Sequence, residues 1–271
     1  WPPPPDKIER LRVYPSPRVA FGVRKGSDTT LIAFDYSQIE TRIIAHLSGD
    51  QTLIDRFHER GDFFKKLAAH WKNKHEDEVT VEERKEVKKL NYGIMYGKGE
   101  VAFAADYGCS VQMARKLLGE FKQLFEGVFK FKKDAERRCD RQEGVYSLAG
   151  RRRDFNSASG LDANSNYTKS LNAITQSSCA DLIKICVINI DKRIHQTFHG
   201  SWREVQARCR LVHMAHDELI YEVAVADKER VAKIVHECMT QAWRLAVPLE
   251  VDAQEGDRWG DMREYQIPGT G

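Results

Sequence analysis

The stretch RKEVKKLNYGIMYG, residues 84–97, carries a regular pattern of cationic and aromatic residues. Arg84, Lys88, Tyr92 and Tyr96 recur every fourth residue, and because an α-helix turns once in 3.6 residues, the four share one face. The preceding Thr80-Val81-Glu82-Glu83 has the form of a capping box and predicts where the helix begins. Two cations followed by two aromatic rings suit a polyphosphate attached to a nucleobase or sugar. The alternative is a solvated basic face beside tyrosines of the core.

Composition and charge narrow the class of protein. The chain has 271 residues, 41% of them hydrophobic and 31% charged, which is enough for one large core or two smaller ones. The net charge is only +3, but Lys and Arg concentrate between residues 115 and 153, where an anionic polymer would bind most readily. The six cysteines form no C-x-x-C pair, which argues against a zinc module and for a reducing compartment. We expect no membrane-spanning segment, because no apolar run looks long enough.

A short apolar run near the start of the chain ends on an acid. Thr29 to Asp35 is rich in strand formers and predicts a buried strand. Ser37 is a candidate cap for a following helix that ends at Gly49. A strand that ends at Asp35 and leads directly into a helix is a common place to present a carboxylate to a ligand.

A second acidic site is predicted near the other end of the chain. Two strand-like runs flank His216-Asp217-Glu218, so these residues are expected at a hairpin turn. A helix over 227–245 and a last strand over 248–254 follow. Between the two ends the patterns are mostly amphipathic helices, which favours an α+β protein with one sheet assembled from both ends and an inserted helical layer. Such a sheet would bring Asp35 and Asp217 together.

Two converging carboxylates are typical of a magnesium site. Mg²⁺ prefers carboxylates supplemented by substrate phosphates and water, and two such ions clamp the attacking and leaving oxygens of a phosphoryl transfer. The predicted reaction class is therefore nucleotidyl or phosphodiester chemistry. Taken singly, an Asp after a strand or an Asp-Glu pair in a turn is usually only a turn residue.

Three segments together resemble the polymerase motifs of family A DNA polymerases, the bacterial polymerase I class. They are Asp35-Tyr36-Ser37-Gln38-Ile39-Glu40, the Arg84 to Gly97 pattern, and His216-Asp217-Glu218. Residues 150–153, 176–181 and 256–259 resemble further family segments, and residues 63–71 are most similar to the theta and nu branch. The resemblance implies the right-hand polymerase fold, with an antiparallel palm sheet and an inserted helical fingers subdomain. It assigns residues 1–49 and 166–271 to the palm and residues 50–165 to the fingers.

The resemblance also implies a role for each matching residue. Asp35, Asp217 and the Tyr36 carbonyl would hold two Mg²⁺ ions, for which Mn²⁺ could substitute, while Glu218 would assist catalysis and Lys88 would protonate the leaving pyrophosphate. The residues implied in dNTP binding are Arg84, Lys88, Tyr92, Tyr96, Gln38, Tyr36 and Glu40, the last as the steric gate against a ribose 2′-hydroxyl. Those implied in contacts with primer-template DNA are Asn172, Gln176, His216, Arg151, Arg152 and Arg153.

Some positions depart from the family pattern. Thr168 stands where the family usually has an arginine, and Phe64 stands where bacterial members usually have a histidine. Members of the family carry a thumb, and many carry further domains, ahead of the palm; a continuous upstream thumb is therefore expected in the full-length protein. The resemblance implies an intracellular protein, in the nucleus or a mitochondrion if eukaryotic and in the cytoplasm if bacterial. Two other functions stay open, a metal-dependent nuclease and a weakly catalytic nucleic-acid-binding module.

Overall fold

A computed structural model describes residues 17–59, 61–95, 97–155 and 163–270, with side chains from residue 169 onward in the last segment. The helices and strands, in chain order, are β1 (Thr29–Tyr36), α1 (Ile39–Ser48), α2 (Gln51–His58), α3 (Phe63–Lys72), α4 (Val81–Met95), α5 (Glu100–Tyr107), α6 (Val111–Leu124), α7 (Glu126–Asp140), β2 (Val145–Tyr146), β3 (Arg152–Arg153), α8 (Ala163–Thr197), α9 (Trp202–Arg208), β4 (Cys209–Ala215), β5 (Glu218–Ala224), α10 (Lys228–Thr240), β6 (Val251–Gly256) and β7 (Arg263–Glu264). Short 3₁₀ turns lie at Pro17–Ala20, Glu76–Glu78, Val225–Asp227 and Trp259–Asp261.

The chain divides into two compact units. Unit 1 consists of Trp1–Ser37, Ile183–Trp243 and Glu250–Gly271, and unit 2 consists of Gln38–Leu182 and Arg244–Leu249. The predicted palm and fingers borders, at 49/50 and 165/166, both fall inside unit 2. The subdomain assignment therefore stays a prediction.

Unit 1 contains a five-stranded sheet in the order β4-β5-β1-β6-β7. All its pairs are antiparallel, and the central strand β1 pairs with β5 on one side and β6 on the other. Strand β1 is central because Leu31, Ile32, Ala33 and Phe34 are all buried, as expected for a strand covered on both faces. The predicted sheet from both ends of the chain and the α+β class are confirmed.

Unit 2 contains the helices α1 to α7 and the β2–β3 hairpin. An aromatic core holds the helices together: the Phe57 and Phe63 rings stack at 5.5 Å, and Phe63 meets Phe64 edge-on at 5.0 Å. Asp50 adds a polar clamp, because its carboxylate accepts the Leu53 N–H at 2.9 Å and the Gly127 N–H at 2.8 Å. One buried carboxylate thus caps α2 and the start of α7 together.

One local expectation is wrong, and one helix was not predicted. The N-cap position of α1 is occupied by Gln38, in the left-handed conformation at φ 57°, rather than by the predicted Ser37. Helix α5 was not predicted, because it has only eight residues and its Val101 side chain points into solvent at 72% exposure, which breaks the amphipathic pattern.

The long helix α8 also corrects the expectation about membrane-spanning segments. In the part of the chain that the structure describes, Lys169–Thr197 is long and apolar enough by length and composition to cross a membrane, with a mean hydropathy of 1.2. A core helix of a soluble protein can have the same length and composition. Leu171, Leu182, Cys186 and Ile190 are each 0% exposed, as in such a core helix. The apolar run was overlooked because Asn, Ser, Thr and Gln interrupt it while few charges do.

Candidate active site

Three carboxylates form a row across neighbouring strands of unit 1. Asp35 on β1 lies directly opposite Glu218 on β5 and directly opposite Asp252 on β6. Residues opposite each other in antiparallel strands project to the same face, with Cβ atoms about 4.5–5.5 Å apart. Asp35 is exposed, although its neighbours Phe34 and Tyr36 are buried, because side chains alternate along the strand. The sheet therefore presents three acids side by side.

The same face bears a cavity of about 340 Å³. It is lined by Arg18, Ala33, Asp35, Ala215, His216, Asp217, Glu218, Asp252 and Gln254. Asp217 reaches it from the two-residue turn between β4 and β5, where His216 takes the left-handed conformation at φ 55°. The expectation that the sheet brings Asp35 and Asp217 together is confirmed. Asp252 was missed, because its partner across the sheet comes from the opposite end of the sequence.

Glu218 is held by an aromatic cluster. Its Oε1 accepts a hydrogen bond from the Trp259 indole N–H at 3.0 Å. The His213 ring lies 4.9 Å from the Trp259 ring, and the Arg18 guanidinium lies 4.7 Å from it on the cavity side. This bond orients the Glu218 carboxylate beside the cavity, and its assisting role in catalysis stays a prediction.

The Tyr36 side chain faces the core of unit 1, away from the acidic row. Its hydroxyl donates to the Met239 carbonyl at 2.7 Å and lies 2.8 Å from the Cys186 Sγ. Burial and the neighbouring Cys186 raise the pKa of this phenol well above its ordinary value of 10. The hydroxyl is therefore a structural donor, and the implied contact with substrate or metal concerns only the backbone carbonyl, which stays a prediction.

The donor chemistry of the row fits a hard divalent cation. Like charges directly opposite each other repel, and a cation bound between them relieves this repulsion. The protein side chains do not complete such a site by themselves, since among the described residues no three or more His, Cys, Asp and Glu side chains are placed to hold a metal ion together. A metal at Asp35 and Asp217 would need further oxygens from substrate and water, which is how Mg²⁺ is usually bound.

In unit 2, helix α4 presents the predicted cationic and aromatic face. Its capping box is present, because Glu83 N–H donates to Thr80 Oγ1 at 3.2 Å and Thr80 N–H donates to Glu83 Oε2 at 3.0 Å. Lys88 is exposed and Tyr92 is half-buried. Tyr96 lies outside the described residues, as does the side chain of Thr168.

The N-terminal part of α3 lies against this face. Arg84 Nε donates to Asp62 Oδ2 at 2.6 Å, and Lys88 Nζ lies 5.8 Å from the centre of the Phe64 ring. The Phe64 and Tyr92 rings are 6.1 Å apart. The Asp62 contact was not foreseen from the sequence, since nothing in the spacing of the two residues marks them as partners.

Gln38 and Glu40 lie at the start of α1. Glu40 is in the first turn and is half-buried. The buried Oε1 atom of Gln38 has no hydrogen-bond partner among the described residues. A buried acceptor left unsatisfied costs free energy, which is consistent with a partner supplied by a ligand.

The predicted DNA-binding residues differ in how far they are engaged by the protein itself. Arg151 is bound within the protein, because its Nε lies 2.5 Å from Asp181 Oδ1 and its Nη2 donates to the Ser177 carbonyl at 2.9 Å. Arg152 pairs with Asp154 at 2.8 Å, and Arg153 lies 6.0 Å from the Phe155 ring; both are exposed. On α8, Gln176 is exposed and Asn172 half-buried. Arg151 therefore anchors the β2–β3 hairpin, and the DNA contacts of the set stay predictions.

Comparisons with known proteins agree with the sequence motifs. The family model described as DNA polymerase family A matches residues 6–261. DNA polymerase theta of Drosophila melanogaster is 32% identical over 244 residues, covering 88% of this chain and 12% of the relative. DNA polymerase I of Mycobacterium leprae is 33% identical over 242 residues, covering 88% of this chain and 26% of the relative. The chain thus spans about an eighth to a quarter of the length of these relatives.

A solved structure is similar over most of the chain. The polymerase domain of Pol1 from M. smegmatis, in complex with a DNA primer-template and dNTP, superposes with a TM-score of 0.81 at 32% identity. The match covers 90% of this chain and 42% of that chain.

Proposed function

Because this chain belongs to DNA polymerase family A, whose members depend on metal ions, we propose that it is the core of a template-directed DNA polymerase. In the proposed reaction a primer 3′-hydroxyl attacks the α-phosphate of a dNTP and pyrophosphate leaves. The observation that carries the proposal is the cavity in which Asp35 and Asp217 meet, in a chain that also carries the cationic and aromatic face of α4. The similar Pol1 structure contains a DNA primer-template and dNTP, which supports the same partners here.

The residues of unit 1 supply the acidic half of the chemistry. Asp35 and Asp217, with the Tyr36 carbonyl, would hold two Mg²⁺ ions, or Mn²⁺ in their place. When bound, such ions neutralise phosphate charge and make the primer hydroxyl a better nucleophile. Glu218 stays oriented by Trp259 beside them. Since phosphoryl transfer needs little covalent help, positioning and charge neutralisation supply most of the catalysis.

The residues of unit 2 supply the substrate contacts. Arg84 and Lys88 bind the triphosphate, and Lys88 gives a proton to the leaving pyrophosphate. Tyr92 stacks on the nucleotide, and Glu40 occupies the space that a ribose 2′-hydroxyl needs. The duplex is contacted by Asn172, Gln176, Arg152 and Arg153 of unit 2 and by His216 of unit 1, while Tyr96 helps to shape the pocket for the nascent pair. All six cysteines are free thiols, which supports our proposal of an intracellular, reducing location.

Primer extension by isosteric variants tests the assignment. Asp35→Asn and Asp217→Asn should each lower incorporation of dNTPs by at least about a thousandfold, because each removes a charged metal ligand without changing side-chain volume. Asp191→Asn is the matched control, since Asp191 is an exposed acid of unit 1 and is not among the residues lining the cavity. Full activity of either variant, with folding verified by circular dichroism, would refute the metal assignment. DNA binding by the wild-type chain without any extension would favour the non-catalytic binding module, and strand cleavage would favour the nuclease.

A further inference from the structure

The first turn of α3 contacts three side chains of the α4 face. Asp62 contacts Arg84, and Phe64 lies beside both Lys88 and Tyr92. Other contacts also join the two helices. Their apolar residues are buried between the same elements, and ion pairs further along also connect them, with Lys72 Nζ 3.0 Å from Glu86 Oε2.

The Asp62 carboxylate is itself immobilised. Its Oδ1 accepts the Lys65 N–H at 3.0 Å, so that Asp62 is the N-cap of α3. The adjoining Phe63 and Phe64 are 4% and 0% exposed, which fixes the backbone of this turn. The remaining oxygen, Oδ2, accepts the Nε–H of Arg84 at 2.6 Å. Arg84 is therefore held by a group whose own orientation is set by a helix cap and a buried aromatic pair.

This arrangement engages one part of the guanidinium and leaves the other part available. An arginine head carries five N–H donors in a rigid fork, and a bond through Nε alone leaves the terminal nitrogens for other acceptors. About a third of the Arg84 side chain, 34%, is exposed to solvent. A long side chain that is already oriented loses less conformational freedom when it binds a phosphate.

We propose that Asp62 is a positioning residue that orients Arg84 for the triphosphate of the incoming nucleotide. The inference rests on the proposed function, and it adds to that function a residue on α3. Asp62 touches no reacting atom; it acts through Arg84.

The variant Asp62→Asn isolates the effect. An asparagine retains the Oδ1 that caps α3 but lacks the charge and the second acceptor that Arg84 uses. We expect the KM for dTTP to rise by about threefold to tenfold while kcat stays within about twofold, since one charged, orientation-dependent contact is lost from substrate binding. Calorimetric titration of dTTP without DNA should show affinity weakened by a similar factor.

Glu86→Gln is the matched control. It also removes one ion pair between α3 and α4, but this pair lies away from Arg84. It should leave both the KM and the calorimetric affinity unchanged. An equal change in Glu86→Gln and Asp62→Asn would mean that the effect is general packing and would overturn the inference.

A double-mutant cycle tests whether Asp62 acts through Arg84. In an Arg84→Gln background, Asp62→Asn should cause no further loss of dTTP affinity. A further loss there, or an unchanged or lowered KM in Asp62→Asn alone, would overturn the inference while wild-type binding and extension left the proposed function intact. A wild-type chain that neither binds dTTP nor extends a primer would overturn the proposed function and this inference with it.

Discussion

Glu222 gives the sharpest stability prediction, because it is a nearly inaccessible carboxylate that joins three parts of unit 1. Its side chain is 1% exposed. Oε1 accepts from Thr29 Oγ1 at 2.8 Å and Arg24 Nε at 3.1 Å, and Oε2 accepts from Arg210 Nε at 2.7 Å. Glu222 lies on β5, which begins directly after Asp217. Its bonds therefore attach Arg24, in the segment before β1, and Arg210, on β4, to strand β5.

The free energy involved follows from the pKa of Glu222. Burial by itself would raise this pKa, but hydrogen bonds from Thr29, Arg24 and Arg210 outweigh it and lower the pKa from 4.5 to about 2. A shift of this size corresponds to about 3 kcal/mol of folding free energy in favour of the ionised form. Because the folded pKa is depressed, this stabilisation is fully present above about pH 4.5 and is lost as the pH falls toward about 2.

The variant Glu222→Gln tests this value. Glutamine resembles the protonated acid in size, but its NH₂ group can only donate hydrogen bonds. Whichever way the amide is turned, this group faces either Arg210 or the pair Arg24 and Thr29, and those donors lose their acceptor. Urea denaturation followed by circular dichroism should show that the free energy of unfolding is lowered by about 3 kcal/mol at pH 7. By the same linkage relation, the difference between wild type and variant should be less than half as large at pH 3 as at pH 7.

An exposed Arg–Glu pair of the same unit is the control. Glu237 lies 2.8 Å from Arg193, and both side chains are more than 40% exposed. Because solvent screens such pairs, Glu237→Gln should cost less than about 1 kcal/mol. Equal losses in the two variants, or a Glu222→Gln loss that does not change between pH 7 and pH 3, would refute the electrostatic account.

Further predictions concern substrate selection and the helical unit. Glu40→Ala should raise rNTP incorporation relative to dNTP, and unchanged discrimination in single-nucleotide extension would place the gate elsewhere. We expect the wild-type enzyme to accept dideoxynucleotides nearly as readily as dNTPs, since a tyrosine hydroxyl can replace the hydrogen bond of the missing 3′-hydroxyl. Tyr92→Phe should discriminate against dideoxynucleotides by about tenfold or more. If ddTTP and dTTP are incorporated in the same ratio by both enzymes, the Tyr92 hydroxyl has no part in the mechanism. Asp50→Ala should lower the free energy of unfolding in urea by about 2–4 kcal/mol, because it leaves N–H groups at the starts of two helices unpaired. Ser110→Ala, which removes an exposed cap of one helix, should lower it by about 1 kcal/mol. Similar losses in the two variants would contradict the conclusion that Asp50 caps both α2 and α7.

The sequence by itself determined the features that depend on residues close together in the chain. These features are the capping box at Thr80 and Glu83, the face formed by Arg84, Lys88 and Tyr92, and the strand in which Asp35 is the last residue but one. They follow from capping signals and from helical and strand periodicity, which act over a few residues. The α+β class also followed, because strand patterns at both ends with helices between them leave few ways to bury the apolar faces.

The sequence also indicated that Asp35 and Asp217 would meet, but the tertiary structure alone decided three other pairings of distant side chains. Asp252 lies opposite Asp35, Trp259 donates a hydrogen bond to Glu218, and Asp62 accepts one from Arg84. Strand register across the sheet is set by the packing of all its strands, and a shift of one residue would turn Asp252 to the other face. With 43 Lys and Arg against 40 Asp and Glu, the sequence offers many possible ion pairs, and those between residues far apart in the chain are not marked by their spacing. Partners are selected by where the folded backbone places each side chain, and that placement depends on contacts between residues far apart in the chain.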